Sequence, residues 1–146
     1  MKKIVISLIA ILGLSAAASA QTYVGVRAGY PDVGAHFGVW NAINASLGFR
    51  VSAGFDVFTG GGTTIEADVT YRLPVVGTPG LNAYIGAGPA INFFGNTTTF
   101  GIGFLAGVDF PIMATTSIFF EANPVYFLNV PAPFSFGAAA GLNFRF

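Results

Sequence analysis

"NAYIGAGPAINFF", residues 82–94, reads as two different residue sets laid alternately along one chain. Ala83, Ile85, Ala87, Pro89, Ile91 and Phe93 form the apolar set, and Asn82, Tyr84, Gly86, Gly88, Ala90 and Asn92 form a small or polar one. A period of two belongs to a β-strand with unlike faces. The stretch lies inside a longer one, residues 73–108, that carries no charged residue. That length raises a transmembrane helix as the competing reading. Composition defeats it, because Pro74, Pro79, Pro89 and many glycines weaken a helix at every turn and the asparagines would sit unpaired in lipid.

The same alternation runs outward in both directions, interrupted at fairly regular spacing by clusters of Gly, Pro, Asn and Thr. Eight strands are predicted, at about 22–30, 34–40, 45–58, 63–73, 81–94, 98–110, 117–128 and 135–146. The connections "PDV", "NAIN", "TGGGT", "PVVGTPG", "GNT", "PIMATT" and "NVPAPF" are short, so an up-and-down meander of hairpins is expected. "TGGGT" lacks the lysine and helix of a phosphate-cradling loop and reads as a hairpin tip.

Which solvent the strands face follows from composition. Charged residues make up 8% of the 146 and mean hydropathy is +0.70, where a soluble domain carries about 25% charge. Both lysines, Lys2 and Lys3, precede the apolar run "IVISLIAILGLSAAASA", which closes on Ala18, Ser19 and Ala20. This pattern predicts a secretory signal peptide over residues 1–20 and a mature domain over 21–146. The chain has no cysteine, which excludes disulfides, thiolate metal sites and a lipid-anchored amino terminus. Four arginines against six carboxylates leave the mature part at a formal charge of minus two, with no basic patch for nucleic acid.

The charges test the strand assignment, since the apolar parity can be chosen without them. Arg27, Arg50, Asp56, Glu66, Asp68, Arg72, Asp109, Glu121 and Arg145 all fall opposite the apolar set of their strand. Only Asp32 lies outside the pattern, in an expected turn. A soluble barrel would carry enough charge on its polar face to keep it in water. Here that face is sparse in charge and rich in glycine, while the apolar face is continuous and full of phenylalanine. The pattern therefore predicts an all-β transmembrane antiparallel barrel, apolar outside and polar within. Closure is required because an open sheet edge would leave backbone groups unpaired in hydrocarbon. Tyr30, Tyr71 and Tyr126, near strand ends on the apolar face, are placed for an aromatic girdle.

The whole mature chain resembles the small eight-stranded outer-membrane barrels of the OmpA transmembrane-domain and OmpX type. The features that carry the resemblance are the signal peptide, the alternating strands and the terminal "SFGAAAGLNFRF", residues 135–146. It implies an outer-membrane location with both termini periplasmic and lipids as partners. It also implies recognition of Leu142, Phe144 and Phe146 by the outer-membrane barrel assembly machinery. The short connections depart from the adhesive and receptor-like members, which carry long extracellular loops.

The expected state is a monomer without cofactor or metal, structural in role, with a lumen filled by side chains, since eight strands enclose little more than that. Buried charges must pair. Arg50 with Asp68 and Arg145 with Asp109 are the expected pairs, with Arg27, Glu66 and Glu121 as partners at mid-height. The many inward glycines either leave space or make room for inward Tyr84, Phe119 and Trp40. A narrow channel for ions or small solutes is the alternative function. A lipid-modifying enzyme centred on His36, with Ser46, Ser52 and Asp32 to hand, is the second alternative, although no spacing ties these residues together.

Overall fold

The structure is a computed structural model and describes residues 21–58, 60–74, 80–128 and 130–146. The signal peptide expected over 1–20 lies outside the described residues, as do Thr59, residues 75–79 and Asn129 of three predicted connections.

Each period-two stretch forms one strand: β1 (Gln21–Tyr30), β2 (Asp32–Trp40), β3 (Leu47–Asp56), β4 (Thr63–Leu73), β5 (Asn82–Phe94), β6 (Thr97–Met113), β7 (Thr116–Phe127) and β8 (Phe134–Arg145). Each pairs antiparallel with the next, and β8 returns to β1 to close the barrel. The closing seam runs Val24 to Phe144, Val26 to Leu142 and Ala28 to Ala140, and the amide of Phe146 bonds the carbonyl of Thr22. No edge is left to meet lipid. With eight strands in up-and-down order, both ends of the described chain lie at the same end of the barrel.

The boundaries show what local chemistry adds to alternation. β3 is shorter than predicted because Asn44 accepts the amides of Ser46 and Leu47 before it, and Asp56 accepts the amide of Phe58 after it. The expected turn "PDV" shrinks to Pro31, and Asp32 is the first residue of β2, opposite Asp56. β6 runs on to Met113 and absorbs half of the predicted connection "PIMATT", with a register irregularity between Pro111 and Met113. Proline cannot donate to the ladder, so the slip falls there. Between β5 and β6 Gly95, at φ 56°, takes the first central position that a type II′ turn reserves for glycine.

The faces are inverted relative to a soluble protein. Among the described residues no charged side chain is exposed, whereas Val69, Phe104, Phe120 and Phe136 are open on the outer face. Inside, Tyr23, Trp40, Tyr84 and Leu105 form a buried cluster, with Phe119 fully enclosed beside it. Tyr23 stacks on Trp40 with ring centroids 5.2 Å apart and planes within 12°. This packing depends on Gly38, where an added Cβ would overlap the Tyr23 ring. Gly38→Ala is expected to cost about 1–3 kcal/mol through overpacking. Trp40 is the one tryptophan, so a shift in its emission maximum reports the disturbed stack.

Candidate functional site

The lumen is the only part of this surface where polar chemistry is concentrated among the described residues, and it is built in three tiers. At mid-height, alternation along β3 turns Arg50 inward, and its side chain crosses to β7, four strands away on the opposite wall. There its Nη1 donates to Glu121 Oε1 at 2.5 Å, and Tyr84 on β5 donates its hydroxyl to the same oxygen at 2.5 Å. Asp68, beside Arg50 on β4, lies 3.6 Å from its Nε, an ion pair too long for a hydrogen bond. Asn123 donates to the other oxygen of Glu121 at 3.4 Å. Arg50, Asp68 and Glu121 have side chains only 1% exposed, so their charges meet each other rather than bulk water.

The tier toward the chain ends centres on Asp109. Ser117 and Asn143 donate to its Oδ2 at 2.7 and 2.9 Å, and Arg145 pairs with its Oδ1. Because Asn143 gives its amide N–H to Asp109, its carbonyl oxygen faces His36 Nε2 at 2.7 Å, so His36 donates there. Asn143 thus ties β2 to β6, again across the full barrel. The His36 ring packs edge-on to Tyr23 and Phe119. Arg72 lies over the Trp40 ring, 4.7 Å from its centroid.

The tier toward the other end is looser and encloses a cavity of about 230 Å³. Arg27 donates to Asp32 at 3.2 Å, and Asn92 to Thr64 at 2.8 Å. Asp56 and Glu66 also line this cavity. Glu66 is 4% exposed and has no hydrogen bond or ion pair with the described residues.

The structure therefore brings Arg50 to Asp68 and Arg145 to Asp109. It joins Glu121 to Arg50, while Arg27 turns to Asp32, and no ion pair among the described residues links Arg27 to Glu66 or Glu121. Asp32, expected outside the pattern, is part of it. Tyr23, Leu105, Ser117, Asn123 and Asn143 were not picked out from sequence, yet four of them share the inward parity of a charged or glycine neighbour two residues away, and Ser117 shares that of the inward Phe119. Parity alone held the signal for them. Leu142 is half-buried on the outer parity, Phe144 is exposed beside it, and Phe146 is 80% exposed.

The residues named for an enzyme do not converge. Asp32 begins β2 at one end of the barrel, and Ser46 precedes β3 at the other. Ser52 is the cross-strand neighbour of His36, but the bond made by the imidazole is to Asn143, not to a carboxylate. Among the described residues no three His, Asp or Glu side chains are grouped to hold a metal ion.

An apolar exterior, a closed eight-stranded sheet and a lumen cross-braced by ion pairs define a small transmembrane β-barrel. Solved structures of that class resemble it. The N-terminal β-barrel domain of Pseudomonas aeruginosa OprF aligns over 87% of this chain and 96% of its own, at TM-score 0.66 and 16% identity. Neisserial surface protein A aligns over 87% and 94%, at TM-score 0.58 and 17% identity, and both are small outer-membrane barrels. A de novo designed transmembrane β-barrel aligns over 87% and 94%, at TM-score 0.58 and 20% identity. At these identities the shared property is the fold. No family model matches the chain, and the search of curated proteins found no match.

Proposed function

We propose that this chain is a monomeric integral protein of the outer membrane whose role is structural, with a lumen closed to solutes. The observation that carries this reading is the Arg50–Glu121 bond, which spans the barrel from β3 to β7 with Tyr84 on the same carboxylate. A path for ions would have to break it, and the aromatic cluster of Tyr23, Trp40 and Phe119 fills the adjoining space. In this reading both termini are periplasmic after removal of residues 1–20, and membrane lipids cover the exposed apolar face. Leu142, Phe144 and Phe146 serve as the signal read by the barrel assembly machinery. His36 is a lumen side chain held by Asn143, not a catalytic base. In planar bilayers the reconstituted protein is expected to give no reproducible current, and a steady single-channel conductance would overturn the closed barrel.

One observation favours a narrow water path as the second reading. Among the described residues, the buried side-chain atoms that lack a partner fall on β1 to β4, Arg145 Nε excepted. They include Ser52 Oγ, Asp68 Oδ1, Thr70 Oγ1 and Arg72 Nε, at successive depths along one wall. Buried polar groups of this kind are commonly met by ordered water. Such a path predicts faster osmotic shrinkage of proteoliposomes than of protein-free vesicles, with ion current still absent. Equal shrinkage rates exclude it.

A further inference from the structure

Among the described residues Arg27 is the only cation that lines the cavity remote from the chain termini, and its hydrogen bonding is incomplete. Alternation along β1 turns the side chain inward, where it is only 3% exposed. Gly54 on β3 makes room for the guanidinium, since an added Cβ there would stand 3.0 Å from its Nη2. Asp32 accepts from Nη2 at 3.2 Å, whereas Nε and Nη1 have no hydrogen-bond partner among the described residues. A buried donor without an acceptor costs about 1–3 kcal/mol, and more when it is charged. An oxygen acceptor held beside the guanidinium removes that cost.

The rest of the cavity decides what kind of oxygen it is. Asp32, Asp56 and Glu66 stand around the same space, so an anion brought to Arg27 meets repulsion on three sides. The carboxylates do not call for a cation either. Asp32 is paired with Arg27, Asp56 accepts the amide of Phe58, and Glu66 is attracted through space by both Arg27 and Arg50. A carboxylate nonetheless has about four acceptor sites, and each of these keeps capacity to accept another hydrogen. Donors on one wall and acceptors on the other are both met by a hydroxyl, which accepts and donates at once and carries no charge. Asn92 and Asn123 add amide groups to the lining, and Phe94 and Phe127 add apolar faces for the carbon frame of such a molecule. At about 230 Å³ the cavity is smaller than the roughly 300–1,000 Å³ of pockets for drug-sized ligands, which limits the occupant to a single small ring or less.

We propose that this cavity is a binding site for a small neutral polyol, with Arg27 donating to a hydroxyl oxygen and the carboxylates of the wall accepting from its neighbours. The polar lining lies on the lumen side of a closed sheet, so the ligand enters from the aqueous mouth as a free solute. The site is compatible with a closed lumen, because it lies on one side of the Arg50–Glu121 bond and needs no passage through it.

The test is a ligand-observed magnetic-resonance titration of the folded chain with myo-inositol, in micelles of a detergent that has no sugar headgroup. Cyclohexanol, the same ring with a single hydroxyl, is the control for apolar occupancy, and acetate is the control for a simple anion site. Wild type is expected to bind inositol saturably, and both controls more weakly. Arg27→Lys keeps the charge but removes Nε and Nη1, and is expected to weaken inositol binding about tenfold or more, as for loss of hydrogen bonds from a charged donor. Ser135→Phe fills the cavity from β8 without changing any charge, and is expected to abolish binding. Folding of each variant is checked by the shift in gel mobility on heating. Absence of saturable inositol binding by wild type, equal affinity in Arg27→Lys, equal binding of cyclohexanol, or tighter binding of acetate would each overturn the proposal. Should Arg27→Lys fail to fold, undiminished binding by Ser135→Phe would do the same.

Discussion

Arg50→Ala is expected to destabilise the barrel by about 3–5 kcal/mol, the range for breaking a buried ion pair by removing one partner. The reason is what it leaves behind. Glu121 keeps Tyr84 and the long bond from Asn123 but loses its counter-charge, and Asp68 loses its one ion-pair partner among the described residues. Two carboxylates would then share a lumen whose side chains there are almost wholly enclosed. Urea unfolding in lipid vesicles, followed by Trp40 emission, measures the loss. A double-mutant cycle of Arg50→Met with Glu121→Gln should recover much of it, because two neutral side chains of similar volume leave only Asp68 uncompensated. A loss below about 1 kcal/mol for Arg50→Ala would be typical of a solvated pair and would remove the basis for a closed lumen.

Val69→Arg tests the outside of the barrel with comparable force. Val69 is 47% exposed at mid-strand on β4, between Phe49 on β3 and Ala87 on β5. If this face meets hydrocarbon, arginine there should cost about 2–4 kcal/mol, whereas Phe144→Arg near the strand end should cost about 0–1 kcal/mol. In a water-soluble barrel an exposed valine tolerates such a change to within about 0.5 kcal/mol. The depth dependence is therefore the diagnostic result. Equal, small effects at positions 69 and 144 would show that the apolar face is not in lipid.

The eight strands were legible because alternation is a local property that survives without knowledge of partners. "NAYIGAGPAINFF" is a strand in any register, and β5 runs from Asn82 to Phe94. The strand ends were less legible, since they depend on single contacts: the Asn44 side chain before β3, and Pro111 near the end of β6. Asp32 was misread for a related reason. A one-residue connection at Pro31 leaves Asp32 inside the ladder, and turn-rich composition around it suggested otherwise.

The lumen divides in the same way. Pairs between neighbouring strands, such as Arg50 with Asp68, follow from register once hairpins are assumed. Arg50 with Glu121 and His36 with Asn143 do not, because they are separated by 71 and 107 residues and meet only after closure. Tyr23 was equally hidden, an aromatic residue on the polar parity whose role depends on Gly38 making room beside it.

Taken by itself, the sequence determined the strand count, the parity of each strand and the solvent each face prefers, since all three rest on spacing and composition along a single strand. The tertiary structure alone decided which charges meet across the barrel, which buried donors are left without a partner, and where space remains. Those properties belong to walls four strands apart, brought together by closure, and spacing along one strand carries no information about them.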